Sequence, residues 1–401
     1  VNTQHSNGAR WFAPCYSTAG GNVIKAKFMA TGAALAVAAL VLTGCSSGES
    51  TDSSTNIGLS EEAAAALETA YTGVGGTVAI DPISNVPTDE NVYVVSCGEM
   101  VPGCSVPAAA AASAAEAIGW TATIADGKLN PEGFATAIRQ GIAGGATVIV
   151  PIGIGCGVAQ AAFQEAVDAG IKIIGGGGPD DCDPKLWTSE RSWITGQPGP
   201  VMWASFGALQ ADYVFGKTNG NVNPVVINFT GQVWGQWITD GFNAELEKLG
   251  NQGKVLETVD VSDTEMTDGS FVQKITTALL NNPDANALIV PIDSWLPAGL
   301  GQAIVQGGNA DKIIVIGRGG DAAVLDAIRA GGQGVNATVG TAIEWGAWGS
   351  IDTAARLLSG GKAADIAESS QVIDVDHNMP KSGSYQGSID WQAAFLKAWG
   401  K

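Results

Sequence analysis

The stretch PEGFATAIRQGIAGGATVIVPIGIGCGVAQAAFQEAVDAGIKIIG, residues 131–175, decides how the rest of this chain is read. PEGFATAIRQGIAGG is an amphipathic helix, TVIVPIGIG a strand, VAQAAFQEAVDAG a second helix, and IKIIGGGG a second strand. A continuous β-branched run such as Val148-Ile149-Val150 leaves no polar face for water, so it must be covered on both sides. That is the condition of a strand in a parallel sheet with helices on both faces. Glycines close the helices, where positive φ costs them nothing.

Working outward, the same rhythm extends in both directions. Before it come the strand NVYVVSC, the helix VPAAAAASAAEAIG and the short strand WTATIA. After it the rhythm restarts with GALQADYVFGK as a first helix, followed by the strand VNPVVINFTG, the helix WITDGFNAELEKLG and the strand GKVLETVDV. The helix GSFVQKITTALLNN, the strand ANALIVPID, the helix LPAGLGQAIVQGG and the strand DKIIVIG complete a second α/β unit. The fold class is therefore α/β, with two Rossmann-like lobes of parallel sheet. WTSERSWITGQPGPVMW, rich in Trp, Pro and Gly, reads as the crossing between them. NATVGTAIEWGAWGSIDTAARLLSGG gives a strand, a turn and a helix with no place in a finished second sheet, and is expected back in the first lobe. ESSQVIDVD would cross again, and IDWQAAFLKAWG forms a late amphipathic helix. The expected division is 60–198 for lobe 1, 199–341 for lobe 2, 342–375 for the return to lobe 1, and 376–401 for lobe 2 with the C-terminal helix. The segments joining the lobes would act together as a hinge of three segments.

Composition limits the function. The chain is 45% hydrophobic and 15% charged with 55 glycines, which is an ordered globular composition with many tight turns. A formal charge of -19 repels phosphate backbones, so nucleic acid is not an expected partner. His5 and His377 are too few and too far apart for a histidine metal site, and no metal or cofactor is expected. No GxSxG elbow is present, and the glycine run 175–178 lacks the residues of a phosphate loop, so tight packing is its expected role. Nor does PDDCDP specify a calcium site. The chain is not expected to be an enzyme.

Near the N-terminus, Lys25 and Lys27 precede the apolar run FMATGAALAVAALVLTG, too short for a comfortable membrane span. Residues 1–44 are expected to be a signal peptide with an upstream segment. Leu42-Thr43-Gly44-Cys45 resembles the lipobox of bacterial lipoprotein precursors, which implies a lipid on Cys45, a flexible Ser/Thr-rich tether over 45–59 and anchorage to the outer face of the cell membrane. LSEEAAAALETAY follows as a helix with Ser60 as N-cap. Cys97, Cys104, Cys156 and Cys182 remain, an even number of the kind oxidising compartments favour. The order of elements selects Cys97 with Cys104 and Cys156 with Cys182, with buried free thiols as the alternative.

In open parallel sheets ligands bind beyond the carboxyl ends of the strands. Two such lobes face each other with their strand-end loops. The candidates there are Glu99, Asp180 and Asp181 in lobe 1, and Trp234, Trp237, Asp293, Trp295, Arg318 and Asp321 in lobe 2. The return segment adds Thr341, Glu344 and Trp345. Flat indole rings cover the C–H face of a sugar or stack on a base, while carboxylates and an arginine fix hydroxyl groups. Trp348, Trp391 and Trp399 are expected in packing.

The run VIVPIGIG, AFQEAVDAG, IKIIG, its counterpart DGSFVQKITTALLNNPDANALIVPID and the segment ATVGTAIEWGAWGSIDTAARLLSGGK together resemble type I periplasmic-type solute-binding proteins of ABC importers, the sugar-binding branch with a LacI-like core. The resemblance implies a monomeric protein that takes a small polar, sugar-like ligand between its lobes and delivers it to an ABC permease. A lipid-anchored sensor for a membrane receptor, or a binder of nucleosides or other non-sugar ligands, is the alternative. Three positions depart from the family pattern: Gly175–Gly178 and Ile238 stand where relatives carry an acid and an arginine, and Ile292-Asp293 where many carry Asn-Asp. They imply a less charged pocket than that of a typical monosaccharide binder.

Overall fold

Val148–Ile152 and Pro224–Phe229 are buried at every position, so neither strand has a face for water, and both lie inside parallel sheets. The computed structural model describes residues 58–401 apart from 79, 195, 196 and 198. The expected signal segment, Cys45 and the tether up to residue 57 lie outside the described residues.

The first part of the chain gives α1 (Glu61–Thr72), β1 (Asn91–Ser96), α2 (Pro102–Ile118), β2 (Thr121–Asp126), α3 (Pro131–Ala143), β3 (Val148–Ile152), α4 (Gln160–Asp168) and β4 (Lys172–Ile173). It continues with α5 (Gly199–Lys217), β5 (Pro224–Phe229), α6 (Val233–Lys248), β6 (Glu257–Val261), α7 (Asp263–Asp268), α8 (Phe271–Asn281), β7 (Ala287–Ile289), α9 (Gly301–Gln306) and β8 (Ile314–Gly319). The last elements are α10 (Ala322–Ala330), β9 (Ala337–Thr341), α11 (Ile343–Leu358), β10 (Ser370–Ile373) and α12 (Trp391–Ala398). One sheet has the order β2-β1-β3-β4, all parallel. The other runs β10-β9-β8-β7-β5-β6, parallel except for β10 against β9.

Local chemistry sets the helix starts. The Ser60 hydroxyl accepts from the Ala63 N–H at 3.1 Å, and Asn130, followed by Pro131, accepts from Gly133 at 2.8 Å. Close packing depends on missing side chains. A Cβ on Gly207 of α5 would lie 1.9 Å from the Ile238 carbonyl oxygen, and one on Gly241 of α6 would lie 2.0 Å from that of Ala204. The α5 and α6 backbones therefore approach directly. Gly176 and Gly178 of the glycine run are packed in the same way, since a Cβ on them would meet the carbonyl oxygens of Pro151 at 2.6 Å and Ile154 at 2.1 Å.

Three placements differ from the expected division. The strand Ala337–Thr341 stays in the second sheet beside β8, inside 199–341 although the run it opens is read as returning to lobe 1, because α10, whose Val324, Leu325 and Ile328 are buried, makes one more β-α-β crossover there. Only the following helix, α11, packs on α2 and β3 of lobe 1. Ser370–Ile373, inside the segment expected in lobe 1, pairs with β9 in lobe 2. The C-terminal helix, expected with lobe 2, packs on α11: Trp348 stacks on Trp399 at 5.3 Å and meets Trp391 edge-on at 5.6 Å. Finally, α1 belongs with lobe 2, because its buried Ala63, Ala66 and Ala70 permit close approach to α5, where Gly216 faces Leu67.

The cysteines pair as element order selected, Cys97 with Cys104 and Cys156 with Cys182. No described helix is long and apolar enough to cross a membrane.

Candidate functional site

Because neighbouring strands run parallel, their carboxyl ends emerge on one side of each sheet, and both sets open onto one cavity of about 550 Å3. Lobe 1 contributes the loop after β1, Ile152 at the end of β3 with Gly153 after it, and Gly176 and Gly177 after β4. Lobe 2 contributes Phe229, Asp263, the stretch Ile292–Trp295, Arg318 and Asp321, with Thr341 at the end of β9.

Arg318 is the electrostatic centre of the lobe 2 jaw. Its guanidinium lies 5.0 Å from the ring centre of Trp203, 5.5 Å from Trp234 and 5.7 Å from Phe206, while Trp203 and Trp234 stack at 4.7 Å. Arg318 Nε donates to the Pro291 carbonyl oxygen at 3.0 Å. Burial lowers its pKa to about 10, against the pull of Asp293 and Asp321, so it stays cationic at neutral pH. Guanidinium over indole is a favourable stack, and it holds the charge in one orientation.

Asp293, only 1% exposed, is engaged by the protein itself. Its Oδ2 accepts from the N–H groups of Gly320 at 2.7 Å and Asp321 at 3.2 Å, and the Thr338 hydroxyl donates to the same carboxylate at 2.8 Å. Burial, then the neighbouring charge of Asp321, pushes its pKa above the usual carboxylate range. Burial also raises Asp321, with Arg318 opposing, and raises Asp263. At the hinge side, Arg191 pairs with Glu368, and both line the cavity.

Four buried polar atoms on cavity-lining residues have no hydrogen-bond partner: Trp234 Nε1, Trp295 Nε1, Thr341 Oγ1 and Glu368 Oε2. Leaving such a group unpaired in the folded protein costs about 1–3 kcal/mol. Similar atoms on Trp345 and Thr353 lie away from the cavity.

Of the residues singled out in the sequence, Trp234, Asp293, Trp295, Arg318, Asp321 and Thr341 line this cavity. The other six do not. Trp237 is one helical step past Trp234 and half-buried outside the cavity. Glu344 accepts from Ser384 and Gln386, and Trp345 is enclosed in the first turns of α11 beside Gly387. Asp180 is consumed by the N–H groups of Leu186 and Trp187, and Asp181 by that of Gly157. Glu99 is solvent-exposed. Cys156, Asp180 and Cys182 converge, but the sulfurs are bonded to each other, so the cluster is a structural knot. Trp203 and Phe206 on α5, Phe271 and the Arg191–Glu368 pair are not among the residues singled out in the sequence; the Trp-rich crossing segment, which holds Arg191 and Trp203, is the one signal for those two.

Residues 103–362 match the family described as periplasmic binding protein domain. Among solved structures, the chain is similar to a galactofuranose binding protein, with 20% identity and a TM-score of 0.59 over 72% of this chain and 95% of that one. It is similar to the 5-methylthioribose transporter solute binding protein of Thermotoga lettingae TMO, with 19% identity and a TM-score of 0.61 over 80% and 96% of the two chains. It is also similar to an ABC transporter solute binding protein of Burkholderia graminis C4D1M in complex with D-arabinose, with 19% identity and a TM-score of 0.61 over 74% and 99%. No match was found among curated proteins. The chain belongs to the periplasmic binding protein domain family. It is an extracytoplasmic solute-binding protein, a setting in which its two disulfides are stable.

Proposed function

We propose that this protein is the solute-binding component of an ABC importer, taking a small sugar-like ligand between its lobes and tethered to the membrane by a lipid on Cys45. The observation that carries the reading is one aromatic-walled cavity at the strand ends of both lobes, with Arg318 and Asp321 in its lining. In this reading the aromatic lining bounds the apolar side of the ligand, the stacked Trp203 and Trp234 hold Arg318 in place, and Arg318 and Asp321 address the ligand's hydroxyl groups. Asp293 positions the loop that carries Asp321, because its carboxylate accepts the N–H groups of that loop. The solved structures named above for galactofuranose, 5-methylthioribose and D-arabinose support a sugar-like ligand.

Ligand closes the lobes only to the extent that it binds the closed form better. The test is a titration of pentoses, hexoses and their glycosides followed by tryptophan fluorescence and small-angle scattering. Quenching with compaction is expected. A panel that gives neither sinks the reading. Radiolabelled palmitate incorporated in the wild type and lost in Cys45→Ala tests the anchor.

A further inference from the structure

The two jaws of the cavity differ in chemistry. Lobe 2 presents a cation, Arg318, a carboxylate, Asp321, and aromatic rings. The facing wall of lobe 1 is made by Met100, Val101 and Pro102 on the loop closed by the Cys97–Cys104 disulfide, together with Leu129 and Phe134. No carboxylate from the loops after β1 and β2 lines it, and Lys128 is its one charged lining residue.

This wall is built with backbone strain. Met100 is 92% exposed although it is among the most adaptable apolar side chains for contact with a ligand. Lys128 and Leu129 both take left-handed backbone angles, φ 55° and 54°, which a leucine adopts rarely. Their turn is fixed because the Leu129 N–H donates to the Cys97 carbonyl oxygen at 2.8 Å, and Asp126 accepts from the N–H groups of Lys128 at 2.9 Å and Glu99 at 3.1 Å. Leu129 lies so close over Gly98 that a Cβ there would sit 2.6 Å from its Cγ. Strain of this kind persists where the surroundings over-determine it, and it gathers at ligand clamps.

We infer that this wall is a subsite for an apolar substituent, so that the ligand is a sugar-like head carrying an aryl or alkyl group rather than a free monosaccharide. The head lies on Arg318 and Asp321, and the substituent lies against Met100, Val101 and Leu129. The inference rests on the sugar-like reading proposed above.

Calorimetric titration of the purified protein with glucose, galactose, xylose and arabinose, each as free sugar, methyl glycoside and phenyl glycoside, tests it. For the sugar that binds, the phenyl glycoside is expected to bind at least about tenfold tighter than the methyl glycoside. Met100→Asp, at an exposed position, and Leu129→Gly, which relieves the backbone, are each expected to remove most of that gain, so that the phenyl and methyl glycosides bind each variant within about twofold of one another. A phenyl glycoside that binds no better than its methyl counterpart overturns the subsite and leaves the sugar-binding reading standing. A gain that survives both substitutions also overturns it, since the aryl group must then lie elsewhere. Binding by no member of the panel overturns the sugar-like reading and the subsite together.

Discussion

At the scale of single residues, the cleft separates side chains that its surroundings leave available from side chains the fold has used. Arg318 keeps its charge under two indole rings, and a lysine there would keep the charge but lose the planar stack. Arg318→Lys is therefore expected to weaken the best-binding sugar or glycoside by at least about tenfold, read by calorimetry, with little change in melting temperature. Trp237 and Trp345 give the opposite contrast. Trp237→Ala is expected to leave ligand affinity unchanged, because that ring does not line the cavity. Trp345→Ala, at a fully buried position, is expected to destabilise the protein by about 3–5 kcal/mol in urea unfolding. Position relative to the cavity distinguishes these tryptophans and residue type does not, which is why the sequence names them alike.

At the scale of elements, two lobes were readable because their strands are continuous apolar runs and their helices are amphipathic. The errors fell where an element was short or its partner was distant. Without α10, β9 is surplus to the second sheet, yet Val324, Leu325 and Ile328 stand at helical spacing. The attachment of α1 to α5 depends on Gly216 facing Leu67, a match between surfaces far apart in sequence. Close approach of α5 to α6 also yields a testable difference between glycines. Gly207→Ala, whose Cβ would meet a backbone oxygen at 1.9 Å, is expected to cost about 1–3 kcal/mol by chemical denaturation. Gly103→Ala, with nothing within 4 Å, is expected to stabilise by about 0.4–1 kcal/mol in the same measurement.

At the scale of the whole molecule, buried carboxyl groups link stability to pH. Asp212 on α5 is buried, and its pKa is raised to about 7 first by that burial and then by Glu245, with Lys248 opposing, both on α6. A carboxyl whose folded pKa lies above its unfolded value near 4 favours folding when protonated. Its contribution is complete below pH of about 4 and is lost as the pH rises through about 7. Asp293, raised in the same direction, adds to the trend. The melting temperature is thus expected to be higher at pH 5 than at pH 8, and Asp212→Asn to flatten that slope and raise stability at pH 8. A wild-type curve rising toward alkaline pH contradicts this. Closure belongs to the same scale: chain segments near Arg191 and Glu368 join the lobes, so motion about them opens or shuts the cavity.

By itself the sequence determined the α/β class, the existence of two lobes, the disulfide partners and the loops that border the cleft, because periodicity, glycine placement and element order are local properties carried by neighbouring residues. Only the tertiary structure decided which lobe receives α1, β9 and α12, that Asp180, Asp181 and Glu344 are occupied by the protein's own donors, and that Trp203, Phe206 and the Arg191–Glu368 pair belong to the cavity. Those facts depend on contacts between residues distant along the chain, where shape, burial and competition for hydrogen bonds decide which side chains remain free, and no local pattern encodes that outcome.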